Sequence, residues 1–174
     1  MPTTSFPTLT KGRSNVGGAP RLLDYDAACR AFSWEAARKQ LTGLPHDQGL
    51  NIAYEAVDRH AVGPARDRTA IRWLRKSDER QEISYGELAA RSNQFANVLA
   101  ALGIVKGDLV CGLLGRTPDL FVSALGTLKR GAVFSPLFSA FGPDPIKTRL
   151  NLGAAKVLVT TDRLYARKVA SIRE

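Results

Sequence analysis

Residues 109–161, LVCGLLGRTPDLFVSALGTLKRGAVFSPLFSAFGPDPIKTRLNLGAAKVLVTT, decide the fold. Apolar runs begin at positions 109, 132 and 156 (LVCGLL, AVFSPLF and KVLVTT), with a helical pattern between each pair. A strand with one wet face alternates apolar and polar residues; a run that is apolar throughout is covered on both faces, as in a parallel sheet. The sequence therefore predicts βαβ units. The first helix between the runs starts at Thr117-Pro118-Asp119: a capping hydroxyl, Pro at the first helical position, then an acid at the positive end of the dipole. Phe121, Leu125 and Leu128 are its expected buried stripe, and Gly131 its end. The second covers 143–152 and closes at Gly153, and Asp162 is expected to cap a last helix running to the C-terminus. In such sheets ligands sit beyond the carboxyl ends of the strands. The segments after Leu114 and after Phe138 are therefore the ones to watch.

Working outward, Ser84-Tyr85-Gly86-Glu87 is a capping box, in which hydroxyl and carboxylate each meet the other residue's orphan amide. The helix it opens carries Leu88, Ser92, Phe95, Leu99 and Leu102 as one stripe, and Gly103 stands where a left-handed terminal residue belongs. Residues 69–75 (TAIRWLR) and 81–84 (QEIS) read as strands. Asn51 is placed to cap a helix with Ile52, Ala53, Ala56, Val57 and His60 on one face. Between 22 and 44 the residues Ala28, Phe32, Trp34, Ala37 and Leu41 mark one or two short helices. Residues 1–21 are rich in Pro, Thr, Ser and Gly with no acidic residue, and they read as a disordered leader. The expected organisation is a leader over 1–21, a helical extension over 22–64, and an α/β region over 65–174.

Composition narrows the class. A chain of 174 residues with 44% hydrophobic residues needs no staples, since a domain near this size buries about 68–70% of its unfolded surface. Its two cysteines, Cys29 and Cys111, are far apart with no CxxC or Cys/His spacing, which excludes a disulfide scaffold and a zinc module. Their free state suits a reducing, cytoplasmic location. No apolar run approaches the roughly 18 residues of a membrane-spanning helix. The 25 Lys and Arg against 16 Asp and Glu give a net charge of +9, which raises the question of nucleic acid. The densest basic stretch, Arg66 to Arg80, is broken by Asp67, Asp78 and Glu79, the pattern of a solvated surface rather than a phosphate-tracking patch.

Recognisable chemistry is sparse. No GxGxxG and no GxxxxGK[ST] occurs, and the nearest imitation, Gly126-Thr-Leu-Lys-Arg-Gly131, falls in a helix and its end, where the amides are already paired. His46 lies in a polar loop and His60 near a helix end, neither with a partner Ser or Cys. Cys29 and Cys111 read as small hydrophobes. The unusual stretch is Ser135 to Pro145, SPLFSAFGPDP, which leaves a strand with two aromatics, small residues and three prolines. It reads either as a rigid loop packed on Phe138 and Phe141, or as a shelf for a flat ring such as an adenine.

DRH (58–60), TAIRWL (69–74), ISYGEL (83–88), LGIVKGDLV (102–110), the stretch 117–146 and RLNLGAAKVLVTT (149–161) run in the order found at the front of AMP-forming acyl-CoA synthetases. Over residues 22–174 the chain resembles this acyl-adenylate-forming family. The succession LGxxKGD, LGTLKRGAVF, PLFSAFGP is most similar to its acetyl-CoA synthetases (acetate–CoA ligases).

The resemblance implies an incomplete N-terminal portion of an adenylation domain. It implies a ligase that joins acetate to CoA through acetyl-adenylate, using ATP, CoA and Mg2+, with these small molecules and the remainder of the synthetase as its partners, and neither nucleic acid nor membrane. The family's phosphate loop, ribose carboxylate and C-terminal lysine lie downstream. The 174 residues alone are therefore expected to be inactive and to expose apolar surface; the alternative is a stand-alone CoA- or nucleotide-binding module. In the family, the loop matching Phe138-Ser139-Ala140 lies beside the adenine of CoA, and an arginine engages the 3′-phosphate. Glycine is frequent there at the positions of Ser139 and Ala140, so this shelf is narrower. Arg167 is the implied arginine and Arg163 the alternative.

Overall fold

The computed structural model describes residues 22–173; the leader expected over 1–21 lies outside them. The hairpin of β1 (Thr69–Leu74) and β2 (Arg80–Ser84) is antiparallel, and β3 (Leu109–Leu113), β4 (Val133–Pro136) and β5 (Val157–Thr160) form a parallel sheet in the order β4-β3-β5. Cys111 of β3 stands opposite Ser135 on one side and Leu158 on the other. The helices are α1 (Tyr25–Ala31), α2 (Trp34–Lys39), α3 (Arg59–Ala61), α4 (Tyr85–Ala101), α5 (Pro118–Lys129), α6 (Pro143–Leu152) and α7 (Asp162–Lys168).

β4 and β5, the edges of this sheet, stay partly exposed, with Val133 at 50%, whereas β3 is buried on both faces because the chain changes sides of it. The chain passes through α5 to β4 on one flank and returns through α6 to β5 on the other. Right-handed crossovers in opposite directions put their helices on opposite faces. Val110, with Phe134, Val157 and Val159, meets Leu99, Phe95 and Ile104 on one face. Cys111 and Leu113, with Leu158, meet Ile146, Leu150, Leu164, Tyr165 and Val169 on the other.

The described residues divide into two compact units, residues 22–40 and 41–173. In the first, Asp24 and Ser33 cap α1 and α2 by accepting the amides of Ala27 and Ala36 at 2.8 and 3.1 Å. Neither helix buries a residue, and the Phe32 and Trp34 rings meet edge to face at 5.2 Å. In the second, Asn51 accepts the amide of Ala53 at 2.9 Å while its own amide donates to the Leu128 carbonyl at 2.8 Å. The helix it opens has a π-helical middle, Tyr54–Asp58, and ends in α3. Val57 and Ala61 pack there with Ile83, Leu88 and Ala89.

Several local expectations are corrected. Thr161, not Asp162, caps α7: its hydroxyl accepts the Leu164 amide at 3.3 Å, and Asp162 is the first helical residue. That helix stops at Lys168 and continues as a 3-10 turn, Ala170–Ile172. Thr117 stands at the start of α5 but its hydroxyl makes no capping bond. The capping box at Ser84 is half made: Ser84 accepts the Glu87 amide at 3.2 Å, whereas the Glu87 carboxylate turns to Arg91 at 3.7 Å. Leu102, just past the end of α4, is exposed although Leu88, Ser92 and Leu99 are buried. On α5, Phe121 is 53% exposed, and the buried seam is Ser123, Gly126 and Thr127. The helices approach too closely for large residues there.

Candidate functional site

The carboxyl edge of the parallel sheet gathers three connections: 114–117 after β3, 137–142 after β4, and Thr161 leading into α7 after β5. The first two enclose a groove of about 410 Å³ lined by Leu114, Gly115, Arg116, Leu120, Leu137, Phe138 and Ser139. Leu137 anchors the second connection, being buried and donating its amide to the Gly112 carbonyl at 2.8 Å. Phe138 then turns outward, 65% exposed. Its ring meets Phe141 edge to face at 5.6 Å, and Phe141 is the ring that packs against the core. The guanidinium of Arg149 lies 4.2 Å from the Phe141 centroid, on α6 one turn beyond Pro145, whose carbonyl it also reaches at 3.0 Å.

Ser139, Ala140 and Phe141 thus form a short turn, closed by the Phe141 amide donating to the Phe138 carbonyl at 3.0 Å. Lys168 binds the backbone of this turn. Its ammonium donates to the carbonyls of Ser139 at 2.6 Å and Phe141 at 2.7 Å. Arg163 and Arg167 lie on α7, one helical turn apart and so on one face. Both are exposed, and neither forms a hydrogen bond or ion pair among the described residues. The structure brings Phe138, Ser139 and Ala140 together and ties α7 to them through Lys168. Lys168 carried no sequence signal beyond standing next to Arg167. Arg116 was missed as well. Its carbonyl accepts the Trp73 indole N–H at 2.7 Å, so β1 fixes the wall of the groove.

The other candidates resolve into structure. His60 leans on the Tyr85 ring at 5.1 Å. His46 is exposed in a 3-10 turn with a left-handed backbone, φ +60. Burial pushes the Cys111 thiol above its ordinary pKa, with a Ser135 hydrogen bond acting the other way, so it is no nucleophile poised at neutral pH. Among the described residues no group of three or more His, Cys, Asp or Glu is placed to hold a metal. No helix there is long and apolar enough to cross a membrane. Much of the basic stretch pairs with its own acids: Arg72 and Arg80 with Glu82, Arg75 with Glu79.

The geometry defines an α/β protein with an exposed aromatic, Phe138, at the carboxyl edge of its parallel sheet and Lys168 bound to the turn that follows. The chain belongs to the AMP-binding enzyme family, whose profile matches residues 57–174. It is 37% identical over 153 residues to the acetyl-coenzyme A synthetase of Bacillus subtilis (strain 168), covering 87% of this chain and 26% of that protein. It is 34% identical over 126 residues to the 3-hydroxypropionyl-coenzyme A synthetase of Metallosphaera sedula, covering 72% of this chain and 19% of that one. Among solved structures, a Brucella canis acyl-CoA synthetase superimposes with a TM-score of 0.73 at 37% identity, over 82% of this chain and 26% of its own. The chain therefore spans about a quarter or less of the length of these relatives.

Proposed function

We propose that this chain is the N-terminal portion of a cytoplasmic acetate–CoA ligase. The complete enzyme converts acetate, ATP and CoA to acetyl-CoA, AMP and pyrophosphate through acetyl-adenylate, with Mg2+ accompanying the ATP. On this reading residues 1–21 are a leader, 22–64 a helical extension, and 65–174 the start of the adenylation domain. The phosphate-binding loop, the ribose carboxylate and the adenylate-stabilising lysine belong to sequence beyond this chain, so the 174 residues alone do not complete the reaction. CoA supplies the thiol that accepts the acyl group; the residues here bind and orient its far end. A purine ring lies flat on Phe138, with Ser139 and Ala140 beneath it. A phosphate meets a guanidinium of α7, Arg167 first and Arg163 as the alternative.

The observation that supports this reading is the outward Phe138 ring. An aromatic that is 65% exposed at the carboxyl edge of the sheet suits a flat ring, and the exposed Arg163 and Arg167 of α7, which form no ion pair among the described residues, suit an anionic group. The test is Phe138→Ala in the protein expressed from its native gene. The KM for CoA should rise about tenfold, as loss of one stacking platform predicts, with acetate-dependent pyrophosphate exchange unchanged. Loss of both together would overturn the assignment. Comparing acetate, propionate and 3-hydroxypropionate in the same exchange assay tests the acyl group, and acetate should turn over fastest.

A further inference from the structure

We propose that Lys168 is the positioning residue of the shelf, a clamp that holds residues 138–141 in the shape a ligand meets. The proposal rests on the CoA reading above for the ligand, but not for the clamp itself. Residues 137–142 belong to no strand or helix, so their carbonyls have no ladder to join. Between Leu137 and Gly142 the turn's own bond is Phe141 to Phe138. Without the ammonium, the Ser139 and Phe141 carbonyls would turn to water, and the Phe138 ring would lose its fixed direction.

Lys168 suits the task for three reasons. A compact ammonium has three donors, and two are spent on carbonyls of the same turn. It forms no ion pair among the described residues, so no carboxylate competes for it. Its backbone is stiff: Val169 is buried in the cluster that holds Leu137 and Ile146, and its amide donates to the Tyr165 carbonyl at 2.9 Å. The clamp therefore carries the rigidity of the core to a loop that has little of its own. It also fixes the shelf relative to α7, the helix that presents Arg163 and Arg167.

The experiment compares wild type, Lys168→Met and Lys168→Arg in the protein expressed from its native gene. Hydrogen exchange is followed by mass spectrometry over residues 137–142 and 109–113, and CoA affinity is measured by calorimetry. Lys168→Met keeps the aliphatic stem and removes the donors. It should exchange about tenfold faster over 137–142 with 109–113 unchanged, and bind CoA about tenfold more weakly, the scale of one lost charge-assisted hydrogen bond. Lys168→Arg, which keeps donors and charge, should restore both to within about threefold. Unchanged loop exchange in Lys168→Met would overturn the proposal. So would an equal rise over 109–113, because Lys168 would then be a general stabiliser. If wild type binds no CoA while Lys168→Met still loosens the loop, the clamp stands and the CoA reading fails.

Discussion

Gly126 of α5 lies directly against the carbonyl of Ser92 on α4, and a Cβ built there would stand 2.8 Å from that oxygen and 3.1 Å from the Ala96 nitrogen. Both are backbone atoms that cannot swing aside. Alanine would favour the helix by up to about 1 kcal/mol, but pushing two packed helices apart costs more. Gly126→Ala is expected to destabilise the protein by about 1–2 kcal/mol, read as a lower urea midpoint at constant slope. Gly63, where a Cβ would meet nothing within 4 Å, is the control, and Gly63→Ala should be neutral. A Gly126→Ala protein as stable as wild type would show that the interhelical contact is looser than described.

Lys129, one turn further along α5, meets the same helix, α4. Its side chain is 9% exposed, and its ammonium meets the Asp58 carboxylate and the Asn93 amide oxygen, each at 2.7 Å, with the Ala89 carbonyl at 3.3 Å. Breaking a buried pair from one side strands the other charge. Asp58→Ala should therefore cost roughly 2–3 kcal/mol, somewhat below the fully buried case because Asp58 keeps contact with water. Lys129→Met should cost less, since the freed carboxylate can hydrate. A double-mutant cycle should return a coupling of about 1–2 kcal/mol; a value near zero would reduce the pair to a surface contact.

These two contacts mark where sequence reading stopped. Elements set by local rules were legible: the Asn51 and Ser84 caps, the left-handed Gly103 with φ +75, the α6 bounds, and the parallel strands. What was not legible depends on partners far along the chain. The Phe121, Leu125, Leu128 stripe has proper helical spacing, yet Gly126 and Thr127 are buried instead, because only α4 tells α5 which face can approach closely. Phe138, Ser139 and Ala140 could be singled out as a stretch and by resemblance. Lys168 and the Arg116 carbonyl could not, because each enters the site through a bond that spans many residues, to Ser139 and to Trp73.

Glu82 on the hairpin should titrate far below an ordinary carboxylate. The Thr69 hydroxyl donates to it at 2.6 Å, and Arg80 and Arg72 add charged donors, lowering its pKa from 4.5 to about 2. A folded pKa below the unfolded one means that the carboxylate's contribution is whole above about pH 4.5 and is lost as the pH falls towards 2. An NMR titration of the Glu82 side chain should give a midpoint near 2. Over the same window the thermal midpoint of wild type should fall more steeply than that of Glu82→Gln, which has no carboxylate to protonate. Parallel curves would mean that the hairpin's ion pairs do not persist in solution.

The two aromatics of the shelf should separate cleanly by what they support. Phe141 packs with Leu137, Ile146 and Val169 and carries Arg149 on its face. Phe138 touches Phe141 edge-on and otherwise faces solvent. Phe141→Ala opens space against the core, and at half burial it should cost about 2 kcal/mol, below the 3–5 of a fully buried phenylalanine. Phe138→Ala removes little buried area and should shift stability by less than about 0.5 kcal/mol. Ligand binding should show the reverse order at fixed stability: Phe138→Ala weakens CoA, whereas Phe138→Trp, which keeps a flat exposed face, retains it. Denaturant melts of the three variants, paired with CoA titrations, check both halves. Equal destabilisation by Phe138→Ala and Phe141→Ala would mean that Phe138 folds back onto the core, and that the shelf has no free ring to offer.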